Sequence, residues 1–185
     1  MNNTASRSSQ IIPGFLSVII PVLGAVTAII IGNILLMDYI HVLIGAIWTG
    51  TDVFLGLIFS QVLRNITPAM QRDVMQRLLP MTMFFIPTAT ILTIAVGYFL
   101  ASAERIFSLE STIFMAIVTI GLVLAVITFA IIFPSSLRIA SLIRQEKAAD
   151  NEVSRFIHRI SLGCLSQLFF QVVMISLMAY LVVYQ

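Results

Sequence analysis

The sequence predicts an all-α fold, a polytopic membrane helix bundle of five transmembrane helices with the N-terminus inside and the C-terminus outside. Three observations predict this fold: the apolar composition, the length of the apolar runs and the distribution of positive charge. Of the 185 residues, 59% are hydrophobic and only 10% are charged, and the mean hydropathy is +1.07. A soluble domain cannot cover so much apolar surface, because roughly half of any folded surface must meet water. Residues 1–185 are therefore expected to form a single domain in a lipid bilayer.

Five apolar runs are each long enough to cross a hydrocarbon core about 30 Å thick at about 1.5 Å per residue. These predicted spans are 11–35, 38–62, 78–101, 112–133 and 157–183. The first two are separated by very few residues, which predicts a tight helical hairpin. Thr67 followed by Pro68 predicts the N-cap and first turn of a short interfacial helix that leads into the third span. Pro80 and Pro87 predict a kink near the start of that span.

Positive charge is concentrated on one side of the predicted bundle. The opposite side carries only Arg105, flanked by Glu104 and Glu110. By the positive-inside rule, the richer side is cytoplasmic. Its nine cationic residues are Arg7, Arg64, Arg72, Arg77, Arg138, Arg144, Lys147, Arg155 and Arg159. The net charge of +2 therefore reports topology and not nucleic-acid binding, and the first apolar run is predicted to be an uncleaved anchor.

Three polar side chains fall on one face of the second predicted span. His41, Trp48 and Asp52 are separated by seven and eleven residues, steps that return to within roughly 20° of the same helix face. Phe59 is expected to continue this stripe. An ionisable group at membrane depth costs several kcal/mol unless it faces protein, water or a cofactor. The stripe is therefore the candidate functional site, although a packing role remains open for each of its residues.

The chemistry of these residues is compatible with haem. A neutral imidazole that points into a helix bundle is a common axial ligand of haem iron, which makes His41 the candidate metal ligand. Trp48 would line the porphyrin, and Asp52 would orient a donor or hold a proton. A thioether is an accepted sixth ligand, so Met178 and Met115 are candidates for the second position, with packing as the alternative for both.

Two further polar features belong to the fifth predicted span. Gln167 and Gln171 share a helix face with Cys164 and are expected to hydrogen-bond across the bundle or to Asp52. His158 lies at the opposite height from His41 and is expected to be an interfacial residue rather than a second haem ligand. Cys164 is the only cysteine of the chain, which excludes an internal disulfide.

The motif His41-x6-Trp48-x-Gly50 resembles the first conserved helix of the CopD/HemJ-like superfamily of small helical membrane proteins. The segment from Arg77 through Pro80 to Gly97 is similar in layout to the next helix of that group. The resemblance covers mainly residues 38–100. It implies that His41 has a role in binding haem b, and its copper-handling branch would allow metal transport.

Three functions are consistent with the sequence. The first is a haem b-binding protein that acts in electron transfer or oxidoreductase chemistry. Such a protein could be a subunit of a larger respiratory membrane complex. The second is a copper or ion transporter whose path is lined by Asp52, Trp48 and methionine sulfurs. The third is a cofactor-free structural subunit. Five spans enclose little space, so association with itself or with other membrane subunits is expected. The predicted location is the plasma membrane of a prokaryotic cell.

Overall fold

The computed structural model describes residues 4–106, 110–144 and 150–184, and these residues are helical apart from short turns and caps. Eight α-helices and two π-helical segments join end to end into five long helical rods in the described chain. In chain order the elements are α1 Thr4–Ile31, α2 Ile34–Val53, a first π-segment Phe54–Phe59, α3 Ser60–Arg64, α4 Pro68–Thr82, α5 Phe85–Ala103, α6 Thr112–Ile127, a second π-segment Thr128–Ile132, α7 Phe133–Arg144 and α8 Asp150–Tyr184.

Four of these rods are long and apolar enough to cross a membrane. They are Ile34–Arg64, Pro68–Ala103, Thr112–Arg144 and Asn151–Leu181. Their outward faces are strongly apolar, as expected for contact with lipid: Leu35 is 78% exposed and Leu122 is 65% exposed. The fold therefore indicates a multi-pass helical membrane protein. The first predicted span stays a prediction, because its described apolar part, Ser17–Ile31, is shorter than a crossing helix requires.

The α1–α2 connection is the tight hairpin that the sequence predicts. Gly32 has a φ of +66°, a backbone conformation that glycine adopts without steric cost and that ends α1. Asn33 then caps α2, since its side chain accepts a hydrogen bond from the backbone N–H of Leu36 at 3.0 Å. The second helix consequently begins at Ile34 and not at residue 38. Gly32 therefore belongs to the turn. Ala28, four residues earlier in α1, is fully buried in the helix interface.

The third rod is interrupted where prolines predict a kink. Thr67 caps α4 by accepting from the N–H of Met70 at 3.4 Å, and Pro68 occupies the first turn. The helix breaks at residues 83–84, between Pro80 and Pro87. Proline at position 87 has no N–H with which to continue the hydrogen-bond ladder across this break. The segment before the break is therefore a helix of its own, as expected.

Helix α8 is the centre of the bundle. It packs against α2, α4, α6, α7 and both π-segments, while α2 packs most extensively on α5. The start of α4 and the end of α7, which both carry arginines, lie at the same end of the bundle. The guanidinium of Arg72 donates to the carbonyl of Ile143 at 3.3 Å there. We call this end the arginine end. Lys147 lies outside the described residues, as does the side chain of Arg7.

Both π-segments lie against α8 at nearly the same height. A Cβ atom on Gly56, in the first π-segment, would lie 3.2 Å from the backbone N of Leu165. A Cβ atom on Gly163 would lie 2.8 Å from Cγ1 of Ile132, in the second π-segment. A π-turn accommodates one residue more than an α-turn and is often found at functional positions. Small residues at these two contacts let the widened turns approach α8 closely.

We expect Gly163→Ala to destabilise the bundle by about 1–3 kcal/mol, the usual cost of overpacking a tight interior. Ile132 is 2% exposed and cannot move aside into solvent. Gly50→Ala is the matched control, because a Cβ atom there meets nothing within 4 Å. Thermal unfolding in detergent would measure both variants, and equal melting temperatures would contradict the close contact.

Candidate functional site

The polar stripe predicted on the second span lies on the buried face of α2. His41, Ile44, Trp48 and Asp52 are all buried, with exposed fractions of 9% or less. Phe59, however, does not continue the stripe. It is half-buried and stacks on the exposed Phe54 with ring centroids 5.7 Å apart. The first π-segment is the reason: its wider turn delays the buried face by one residue, so the buried position is Ser60.

Asp52 is the most enclosed charged residue among those described, with an exposed fraction of 0%. Its Oδ2 accepts a hydrogen bond from the amide Nε2 of Gln171 at 2.9 Å, as the sequence predicts. The thiol of Cys164 also faces this carboxyl group. Both neighbours are neutral, and Arg64, at the end of the same rod, is about 18 Å away along the axis. The carboxyl group therefore lies in the apolar interior without a cationic partner among these contacts.

A second polar group lies one helical turn along α8. The amide Nε2 of Gln167 donates to the hydroxyl of Thr128 at 2.5 Å and to the carbonyl of Leu124 at 3.1 Å. The hydroxyl groups of Thr128 and Thr90 are 3.0 Å apart, and Thr90 also donates to the carbonyl of Ile86 at 2.9 Å. Gln167, Thr128 and Thr90 are each 0% exposed. Four helical rods thus contribute polar side chains to one buried layer, which we call the polar core.

The sequence reasoning missed two members of the polar core, Thr90 and Thr128. Threonine in a membrane helix commonly bonds to its own backbone and is then structurally neutral. The detectable signal was the pair of glutamines on α8, which require donors and acceptors on the facing helices. Only the fold identifies the two threonines as those partners.

Several buried polar atoms in the described chain have no hydrogen-bond partner within the protein. They belong to three helices that face one another: α2, α5 and α8. Such atoms are rare in native interiors and usually bind water, an ion or a ligand. They are His41 Nδ1, Trp48 Nε1, Asp52 Oδ1, Thr93 Oγ1, Gln167 Oε1 and Gln171 Oε1.

His41 is held edge-on against α5. A Cβ atom on Gly97 would lie 2.7 Å from Cε1 of the imidazole ring, and the ring lies beside the backbone of Thr93. An axial haem ligand needs a nitrogen that faces a space large enough for a porphyrin, and pockets for such ligands measure about 300–1,000 Å³. His41 lines neither of two cavities that lie on the arginine-end side of Asp52, of about 20 and 70 Å³. Its Cε1 edge is packed against Gly97, and haem b stays a prediction of the resemblance.

The remaining predicted site residues are dispersed. Met115 is 39% exposed on α6, a helix that packs mainly on α8 and not on α2. Met178 is half-buried on α8. His158 is exposed near the arginine end, as predicted. The structure thus brings Asp52 together with Gln171 and Cys164, and it places His41 against α5 without a methionine among its identified neighbours.

No family model, curated protein or solved structure matches this chain. The class of protein is consequently the one that the fold itself defines, a multi-pass helical membrane protein. Within that class, the particular feature of this chain is a buried carboxyl group inside a layer of neutral polar side chains.

The contact between His41 and Gly97 can be tested by volume. Gly97→Ala is expected to cost about 1–3 kcal/mol, because the new methyl group overlaps the imidazole ring. Gly45→Ala lies on the same α2–α5 interface, and its Cβ atom would be at an ordinary 3.9 Å from Cγ2 of Thr93. Detergent melting curves should therefore separate the two variants. The double variant His41→Ala/Gly97→Ala should be less destabilised than the sum of its single changes; additive losses would refute the contact.

Proposed function

We propose that the protein handles protons or small monovalent cations within the membrane, with Asp52 as the group that carries them. The observation behind this proposal is the full burial of a carboxyl group whose identified partners, the Gln171 amide and the Cys164 thiol, are neutral. A bare carboxylate in an apolar interior costs several kcal/mol. A proton or another cation that neutralises the charge removes this cost. Ionisable residues at membrane depth accordingly mark ion and proton pathways.

The unpaired atoms of the polar core support ion handling over a purely structural role. Three of them are acceptor oxygens. One is Oδ1 of Asp52 itself, and the other two are the Oε1 atoms of Gln171 and Gln167 on α8. A layer built only to join helices would be expected to satisfy its acceptors internally. Unpaired oxygens favour a hard ligand such as water, hydronium or an alkali cation over a soft copper ion.

The same face of α2 carries two more buried polar side chains, which lie farther from the arginine end than Asp52 does. Trp48 and His41 follow Asp52 on the buried face of α2 at distances of about 6 and 16 Å along the axis. Each presents an unpaired nitrogen, and Thr93 of α5 adds an unpaired hydroxyl group beside His41. These atoms lie in close packing, with buried Ile44 between Trp48 and His41. They support polar positions along this face and not a water-filled path.

The proposal includes a location and an assembly state. The protein would act in the plasma membrane of a prokaryotic cell, with the arginine end toward the cytoplasm. It would associate with itself or with other membrane subunits, since a bundle of this size encloses little space for a conduit.

The central test is Asp52→Asn in vesicles that contain a pH-sensitive dye. Asparagine keeps the shape of the side chain and can still accept from Gln171, but it cannot exchange a proton. Proton flux driven by a membrane potential should fall by roughly 100-fold. Asp38→Asn is the control, because Asp38 is exposed on the same helix and its loss should leave the flux unchanged. Equal flux through both variants would rule out Asp52 as the carrier.

The haem prediction has its own measurement. Since the edge of the His41 ring is packed against Gly97, the ion-handling proposal predicts no Soret absorbance that depends on His41. The visible spectrum of the wild-type protein, compared with that of His41→Ala, provides the test. A Soret band that disappears in the variant would replace ion handling with haem b binding as the favoured function.

A further inference from the structure

The arginine end contains a polar cavity that neither the stripe nor the polar core includes. It has a volume of about 70 Å³ and is bordered by α3, α4 and α8. A single buried water needs roughly 10–15 Å³ of such volume, so the cavity has room for several. The polar residues that line it are Ser60, Arg64, Gln71, Ser154, His158 and Ser161. We call it the arginine-end cavity.

The inner wall of this cavity points toward Asp52. Ser161 and Ser60 are buried, with exposed fractions of 6% and 8%. Ser161 precedes Cys164 by three residues on α8, about 4.5 Å along the axis, and therefore shares its face. Because of the wider turn of the first π-segment, Ser60 lies on the same buried helix face as Asp52. The cavity thus begins at the surface and ends against the two helix faces that carry Asp52 and Cys164.

A second, smaller cavity adjoins the first. It measures about 20 Å³, enough for one water, and shares Ser161 and Ile157 with the arginine-end cavity. Its lining is mainly apolar but includes the buried Ser136, and it also includes Leu55, which is three residues, or about 4.5 Å along the axis, from Asp52.

Arg64 gives the mouth of the arginine-end cavity a positive charge. Arg64 and His158 line the cavity and are both exposed, and no acidic residue of the described chain lines it. A fixed positive charge lowers the local concentration of metal cations. A proton that moves by exchange between hydrogen-bonded waters carries the same charge past Arg64 and meets the same repulsion, so this field does not favour protons over metal cations. At Asp52, hydronium would transfer one proton to the carboxylate, leaving water and a neutral carboxylic acid.

We propose that the arginine-end cavity is a water-filled inlet that leads from the cytoplasm toward Asp52 and that Arg64 makes its mouth select against cations. This inference rests on the proposed function, because that function gives Asp52 its role. The presence of the inlet, however, is testable without any transport measurement.

Cysteine accessibility provides the test. Ser161→Cys places a thiol in the cavity wall, and Leu162→Cys places one on the adjacent residue, which is 49% exposed on the outer, lipid-facing side. In inside-out vesicles of the full chain, a membrane-impermeant methanethiosulfonate should modify Ser161→Cys about 100-fold faster than Leu162→Cys, because only a hydrated thiol forms the reactive thiolate. The wild-type protein, whose single thiol is buried, gives the baseline. Ser60→Cys serves as a second position if Ser161→Cys does not fold.

The charge of the reagent tests selectivity. A sulfonate reagent should modify Ser161→Cys about tenfold faster than a quaternary ammonium reagent, and Arg64→Gln should reduce this ratio toward one. Equal rates for Ser161→Cys and Leu162→Cys, or modification of Ser161→Cys in intact cells only, would overturn the inlet. A ratio unaffected by Arg64→Gln would overturn the selectivity. Neither result depends on the outcome for Asp52→Asn, so failure of the inlet and failure of the proposed function are distinguishable.

Discussion

The hydrogen bond between Asp52 and Gln171 is the interaction on which the arrangement of the bundle centre depends. It joins α2 to α8 at 2.9 Å in a region where both residues are almost completely enclosed. In lipid, helices gain little from hydrophobic association with each other, so polar contacts and close packing determine their relative positions. The adjacent Gln167–Thr128–Thr90 contacts tie α8 to the rods that contain α5 and α6. One helix therefore joins three other rods through two glutamines that are four residues apart.

The features that serve packing and those that serve chemistry occupy different interfaces. Small residues permit close approach: Gly97 on α5 where α2 packs, and Gly56 and Gly163 at the π-segments. Polar residues occupy the interior between these contacts. The bundle is consequently closed around His41, whereas the larger cavity lies at the arginine end and the smaller one is lined in part by the two π-segments. Both cavities thus lie on the arginine-end side of Asp52, opposite to His41.

Much of the fold could be predicted from periodicity and charge, since helices in lipid must be long, apolar and internally hydrogen-bonded. The stripe of His41, Trp48 and Asp52 was visible for this reason, as was the pairing of Asp52 with Gln171. The π-segment was not, because a widened turn depends on tertiary contacts such as Gly56 against Leu165 and has no local residue signature. The misplacement of Phe59 follows from that single omission.

The position of His41 shows the same limitation in another form. Its burial was predictable from the helix face, but the direction of its ring depends on Gly97, which lies in a different helix. The exposure of Met115 likewise depends on which helix α6 packs against, information that no spacing within α6 contains. Residues that act through neighbours distant in sequence were therefore the ones that single-helix reasoning placed least well.

The first π-segment also affects how this chain must be compared with others. A widened turn arises when one residue is inserted into a regular helix, so the chain is longer by one position between Asp52 and Ser60 than a straight relative would be. An ungapped alignment to such a relative would pair Arg64 with the wrong neighbour and turn the entire α3 sequence by about 100°. A relative with a straight helix here would align across both halves of the rod only when a one-residue gap is placed within Phe54–Phe59.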